Sequence, residues 1–232
     1  MIKRFTGAFM CAVLLLLSCS VSGGNARAVD LQGTDADLEA IVAAYNNACT
    51  ATVNPPKGKL SLNFDGRITG DGFTGFLLWA ISPIAKRTLA KAAITTDYIP
   101  GYDQLLASDV VEAASSSANG VTTIQLKLKE QVDGFDASAK DGPVGRGIGT
   151  LGNFSRAAKK IGANITEGSD SISITYQNAV IKVTIDENTG TITGGTWQYS
   201  ANLHIGKIKV SFRGFPLTFK NVKAKIDFSV VI

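Results

Sequence analysis

The sequence predicts an α+β fold in which a curved antiparallel sheet of about six or seven strands packs on three or four helices. Residues 171–232 alternate apolar and polar side chains almost without interruption, which is typical of a half-buried antiparallel meander. The stretches 35–52 and 150–162 place apolar residues on one face of a helix, and 73–94 is apolar nearly all round. Because a one-faced sheet needs a cover, we expect these helices to pack on it.

Residues 1–28 have the features of a signal peptide. A basic start precedes an apolar stretch at 5–17, and Ala26-Arg27-Ala28 resembles a small-x-small cleavage site. The apolar stretch is short for a membrane span. Alternatively, Leu16-Leu17-Ser18-Cys19 resembles the lipobox of bacterial lipoproteins, in which case Cys19 would carry the lipid. Either route predicts an exported protein, secreted or attached to the outer side of the cell membrane.

The composition predicts a single globular domain over residues 29–232. The full chain of 232 residues is 45% hydrophobic and 18% charged, which argues against disorder. Three basic residues and no acid fall in the leader, so the remaining 20 basic and 19 acidic residues nearly balance. This balance gives no support to nucleic-acid binding. Cys49 would be the one cysteine outside the leader, which predicts a small buried side chain without an intramolecular disulfide.

The first half of the mature chain predicts helix, strand and helix. Thr34 or Asp35 can cap a helix that ends before Asn54-Pro55-Pro56. A strand follows, with alternating apolar residues from Leu60 to Ile68. Ser82-Pro83 interrupts the apolar stretch 73–94, which predicts either a second helix beginning at Pro83 or one kinked helix.

The middle of the chain predicts shorter elements. Ser108 can cap a short helix that runs through Ala113. Alternating apolar residues at Ile124, Leu126 and Leu128 predict a strand, and 133–149 is rich in glycine and predicts a long loop.

Four breaks divide the C-terminal meander. The alternation changes phase at Gln177-Asn178 and at Gly206-Lys207, and we interpret both as two-residue hairpin turns. Glu187 to Gly190 predicts a hairpin loop in which Gly190 adopts a positive φ. Gly194-Gly195 predicts a β-bulge.

The sequence gives little indication of catalytic chemistry. Gly147, Gly149 and Gly152 have the spacing of a dinucleotide-binding loop, but no strand precedes them, so we interpret them as a flexible or sterically required loop. His204 is the single histidine and is expected at the surface. Without a cysteine or histidine cluster, neither a metal nor another cofactor is predicted. Paired carboxylates leave a secreted hydrolase open as an alternative.

Three segments carry a resemblance to known sequences: 105–111, 142–149 and 176–197. Together they look like a group of uncharacterised exported proteins from anaerobic Gram-positive bacteria. The shared motifs are turns, strands and caps, so the resemblance implies a location in the bacterial envelope or medium and carries over no activity or site residue.

We therefore expect a non-enzymatic binding or cell-envelope protein that holds a lipid or another apolar or amphipathic molecule between the sheet and the 73–94 helices. The predicted lining residues are Phe76, Trp79, Trp197, Tyr199 and Phe228. An adhesive or structural surface protein without a pocket is a further alternative. The basic side chains on the last strands predict either attraction to an anionic envelope surface or a solvated face that resists aggregation; they are Lys207, Lys209, Lys223 and Lys225.

Overall fold

The computed structural model describes residues 35–53, 58–69, 71, 95–96, 105–138, 140–151, 163–212 and 215–232. Two α-helices occur in these ranges, α1 (Asp35–Ala51) and α2 (Gly142–Gly147). Single 3-10 turns span Ala107–Asp109 and Ser169–Ser171. The strands, in chain order, are β1 (Gly58–Thr69), β2 (Thr95–Thr96), β3 (Val110–Ala118), β4 (Val121–Leu128), β5 (Gln131–Asp133), β6 (Ala163–Glu167), β7 (Ile172–Asp186), β8 (Ile192–Phe212) and β9 (Phe215–Val231).

The nine described strands form one antiparallel sheet in the order β2-β1-β9-β8-β7-β4-β3. β5 also pairs with β7, beyond the end of β4, and β6 pairs with β8, beyond the end of β7. Each of the long strands β7 and β8 therefore pairs with two strands, one after the other, along the same edge. The predicted antiparallel sheet with a C-terminal meander is confirmed.

The predicted α+β packing on three or four helices is wrong. The described residues are dominated by the sheet and hold only α1, of 17 residues, and α2, of six. The expected first helix is present as α1. The expected helix at 73–94 and most of the one at 150–162 lie outside the described residues.

The hairpin turn predicted at Gln177-Asn178 is also wrong. β7 continues through this point, and its register with β8 shifts between Gln177 and Val180. Asn178 has a φ of +54°, which asparagine tolerates better than most residues. A β-bulge moves the alternation by one residue without reversing the chain, so Tyr176 and Ala179 lie on the same buried face.

The hairpin turn predicted at Gly206-Lys207 is wrong as well, although here no bulge shifts the register between the paired strands. β8 and β9 stay paired on both sides of it, from Ile205 opposite Val222 to Lys207 opposite Lys220. Asn221, across from Gly206, has a φ of +49°. The alternation of inward and outward side chains shifts by one residue in both strands at the same point, so the apolar side chains stay on one face.

The other two breaks agree with the sequence. Gly190 closes the β7–β8 hairpin with a φ of +67°, and the Asp186 carboxylate accepts hydrogen bonds from the backbone N–H of Asn188 and Thr189. The predicted bulge near Gly194 is seen in the pairing of β7 with β8: Thr184 lies opposite Gly194, but the next residue, Ile185, lies opposite Ile192.

The helix predicted from Ser108 to Ala113 is wrong as well. After the turn at Ala107–Asp109 the chain enters β3, where the β-branched Val110 and Val111 favour a strand. β3 and β4 form a hairpin through Asn119-Gly120, both with positive φ. The expected loop at 133–149 instead contains the end of β5 and all of α2.

The core lies on one face of the sheet, called here the inner face. Five side chains of α1 pack on it at helical spacing: Ile41, Val42, Tyr45, Ala48 and Cys49. Val144 and Ile148 of the α2 region join the same core. A smaller cluster covers the far ends of the long strands and consists of Ile172, Ile205, Ile208, Val210 and Val222.

Candidate functional site

Trp197 lies at the centre of the inner face. Its side chain is fully buried, and the indole Nε1 donates a hydrogen bond to the Tyr45 hydroxyl at 2.9 Å. Gly195 leaves room for the ring, since a Cβ there would lie 2.8 Å from the indole. Trp197 thus fixes α1 on the sheet, which is a packing role whether or not a ligand also reaches it.

Tyr199 and Phe228 continue the aromatic row. Tyr199 meets Tyr176 edge to face with ring centroids 5.3 Å apart, and its other face stacks on Phe228 at 4.6 Å. Tyr176 and Tyr199 are buried, whereas Phe228 is half-buried. The predicted lining residues Trp197, Tyr199 and Phe228 therefore share the inner face. Phe76 and Trp79 lie outside the described residues.

Burial is uneven on the part of the inner face that β8, β9 and β1 form, where Trp197 and Val230 are fully buried but other apolar side chains are not. The β7 side chains Tyr176, Ile181 and Val183 are fully buried. On β8, β9 and β1 the inner face includes four apolar side chains that stay only partly covered: Leu60, Leu203, Ile226 and Phe228. These four are called the apolar strip. The strip is the part of the described inner face where an apolar molecule could replace water.

A buried glutamine holds α2 against the β7 side of the sheet. The Gln131 Oε1 accepts hydrogen bonds from the backbone N–H of Val144 (2.8 Å) and Gly145 (3.1 Å). Its Nε2 donates to the Asp133 carboxylate at 2.8 Å and to the Asp141 carbonyl at 2.7 Å. Asp141 precedes the helix but its side chain makes no cap bond, so Gln131 acts as the cap from another element.

Burial also changes the titration of groups beside Gln131. Desolvation raises the pKa of Asp133, although the hydrogen bond from Gln131 opposes the rise. Desolvation raises the pKa of Tyr176 to about 12, and the nearby Asp133 carboxylate adds to this effect. Both side chains point to the inner face, since β5 pairs with β7 in a register that places Gln131 opposite Tyr176.

Asp109 and Arg146 form an ion pair at the other end of α2. The guanidinium binds both carboxylate oxygens, Nε to Oδ2 at 2.8 Å and the second nitrogen to Oδ1 at 2.5 Å. The Leu106 N–H also donates to Oδ2 at 3.0 Å. Desolvation by itself would raise the pKa of Asp109, but the bonds from Arg146 and Leu106 outweigh it and lower the pKa. The pair ties α2 to the start of β3, which is a structural task.

The predicted basic side chains lie on the opposite, outer face. Lys209 contacts Glu167 at 2.8 Å and Lys225 is 3.6 Å from Asp227, so an acid accompanies each of these two. Lys207 lies opposite Lys220, and Lys223 lies opposite His204. Lys207, Lys220 and Lys223 are exposed and form what we call the basic cluster. Asp71 lies at its border, where its carboxylate accepts a hydrogen bond from Asn221.

Three single-residue expectations can be placed directly. His204 is exposed on the outer face, and Cys49 is buried on α1, as predicted. Gly147 is a sterically required glycine, because a Cβ there would lie 2.6 Å from the Leu128 side chain. The signal peptide at 1–28 and Cys19 lie outside the described residues.

The sequence reasoning missed Gln131, Arg146 and the apolar strip except for Phe228, which was a predicted lining residue. Gln131 lies between Glu130 and Val132, just before the predicted loop at 133–149, and its buried position follows only from the pairing of β5 with β7. The strip could be recognised in part, since Leu203 and Ile226 belong to the alternating pattern. Their partial exposure could not, because it depends on what covers each strand.

Comparisons with known proteins identify no relative. Within the described ranges, no group of three or more histidine, cysteine, aspartate or glutamate side chains is placed to hold a metal ion. Nor does any helix in that part of the chain have the length and apolar character needed to cross a membrane. No family model, no curated protein and no solved structure matches this chain.

Proposed function

We propose that this protein is an exported, non-enzymatic binding protein that holds the apolar part of a lipid-like molecule against the apolar strip. The observation that carries the proposal is the incomplete burial of Leu60, Leu203, Ile226 and Phe228, although they belong to the same inner face as the fully buried β7 side chains. Each methylene group of a bound acyl chain removed from water there would contribute about 0.8 kcal/mol.

The aromatic row supports an apolar chain as the ligand. Phe228 stacks on Tyr199, and this pair forms a flat apolar surface beside Ile226 on the same strand. The described groups next to the strip offer no cation for a charged head group. We therefore assign the apolar tail of the molecule to the strip and leave its polar end towards solvent.

Titration with a fluorescent long-chain fatty acid analogue tests the proposal. Phe228→Ser and Ile226→Ser remove apolar contact worth about 1.5–3 kcal/mol each, so we expect the dissociation constant to rise about tenfold or more. Val183→Ala truncates a buried β7 side chain away from the strip and is the matched control for general destabilisation. Circular dichroism confirms that each variant remains folded.

Two results would count against the binding role. One is a wild-type protein that does not bind the probe and carries no lipid in native mass spectrometry. The other is an equal loss of binding in the Val183→Ala control, which would place the probe in a loosened core and not on the strip.

We also propose that the basic cluster brings the protein to an anionic envelope surface. Lys207 and Lys220 face each other across β8 and β9, and like charges in that position destabilise a sheet unless an anion lies between them. Binding to vesicles that contain phosphatidylglycerol should fall with salt and with Lys207→Gln/Lys220→Gln, and a Lys182→Gln control on β7 should bind as the wild type does. Equal binding by all three proteins at low salt would remove the cluster from this role.

A further inference from the structure

β3 is the terminal strand of the described sheet. Among the described strands it pairs only with β4, and six of its nine residues are exposed. An uncovered edge presents a row of backbone N–H and C=O groups that can pair with another strand. At the opposite end of the described strand order, β2 is two residues long and pairs with only Gly58 and Lys59 of β1.

β3 lacks the features that usually prevent edge-to-edge pairing. It contains no lysine, arginine or proline, and its residues from Ala113 to Ala118 are all alanine or serine. Its one charged side chain, Glu112, forms an ion pair with Lys127 on β4 at 2.7 Å. A second strand could therefore approach this edge without meeting an unpaired charge or a bulky side chain.

Exposed aliphatic side chains lie at both ends of the same edge. Leu106 and Val111, at the start of β3, are 51% and 54% exposed. Val121, just after the β3–β4 turn, is 37% exposed. In an antiparallel pair of two copies centred on Ser115, Val111 of one copy would lie opposite Asn119, in the β3–β4 turn of the other.

We propose that β3 is a dimer interface at which two copies of this chain pair antiparallel about a two-fold axis through Ser115. In this register Ala114 of one copy lies opposite Ser116 of the other, and Glu112 lies opposite Ala118. No like charges face each other, and the small side chains let the two backbones approach closely. The sheets of the two copies then join into one continuous sheet.

Charge substitutions at Ala114 and Ser116 test both the interface and its register. Both positions are exposed on the outer face, so the monomer should keep its fold. In Ala114→Lys/Ser116→Lys, the lysine at position 114 of each copy faces the lysine at position 116 of the other copy. We expect this repulsion to raise the dimer dissociation constant about tenfold or more. In Ala114→Lys/Ser116→Glu, each lysine instead faces a glutamate of the second copy, and the dimer should persist.

Sedimentation velocity gives the readout, with circular dichroism as the check on folding. The expected result is a dimeric wild-type protein, a dissociated Lys/Lys variant and a dimeric Lys/Glu variant. A wild-type protein that stays monomeric up to about 100 μM would overturn the proposal. A Lys/Lys variant as dimeric as the wild type would overturn it too, because the copies would then associate through another surface. Dissociation of both variants would rule out this register.

Discussion

Replacing Gln131 by methionine should be one of the most destabilising single changes in the described part of the chain. The substitution keeps the side-chain length but removes the acceptor of the Val144 N–H and the donor to Asp133. A buried N–H without a partner costs about 1–3 kcal/mol, and the loss of a hydrogen bond to a charged group costs about 1.5–3 kcal/mol. Burial of the methionine returns about 1 kcal/mol. We therefore expect the free energy of unfolding to fall by about 1.5–5 kcal/mol.

Urea denaturation measures this difference as a shift of the midpoint at constant slope. Gln198→Met is the matched control, because Gln198 is exposed on the outer face of β8 and its substitution should change the free energy of unfolding by less than about 0.5 kcal/mol. Equal effects of the two substitutions would refute the reasoning. They would mean that α2 does not depend on its cap from β5.

Two further predictions concern a carboxylate and a glycine. Burial raises the pKa of Asp133, so the ionised carboxylate destabilises the folded state. The protonated carboxyl group does not, so the protein keeps its full stability below the unfolded pKa of Asp133 and loses part of it as the pH rises through the folded pKa. Asp133→Asn should therefore raise the melting temperature at pH 7, and the gain should vanish near pH 3; a gain that grows in acid would contradict this sign. Gly168 has a φ of +80°, and a Cβ there would lie 2.1 Å from the Lys207 carbonyl oxygen, so Gly168→Ala should cost about 2–4 kcal/mol in urea denaturation. Gly134 has open space around it, and Gly134→Ala should cost less than about 1 kcal/mol; similar losses at both glycines would show that the close approach to Lys207 is relieved elsewhere.

The period-2 pattern predicted the sheet and its apolar face but not the length of its strands. A phase change in the alternation is produced equally by a two-residue turn and by a bulge in a continuing strand. At Gln177-Asn178 the strand continues through a bulge, and at Gly206-Lys207 both paired strands continue without a register shift, so β7 and β8 reach lengths of 15 and 21 residues. Since typical strands have about five or six residues, the shorter interpretation was the natural one.

Contacts between distant parts of the chain could not be predicted from one sequence. Trp197 was expected on the inner face, where it lies, but its hydrogen bond to Tyr45 joins residues 152 positions apart. The Asp109 carboxylate is bound by Arg146, which lies 37 positions away in the predicted loop at 133–149. Such pairs depend on tertiary geometry, to which local spacing and propensity carry no information.

The described polar anchors of α2 all lie on one side of the inner face, and this asymmetry bears on where a ligand would bind. Gln131 and the Asp109–Arg146 pair hold α2 over β4, β5 and β7, where the apolar side chains are fully buried. Beside the apolar strip, the Trp197–Tyr45 hydrogen bond holds α1 and not α2, and the side chains of the strip stay half-covered. A ligand that displaced α2 would have to break buried hydrogen bonds, each worth about 1–3 kcal/mol, before gaining any contact. A ligand on the strip gains apolar contact without that cost, so the strip is where binding would be favourable.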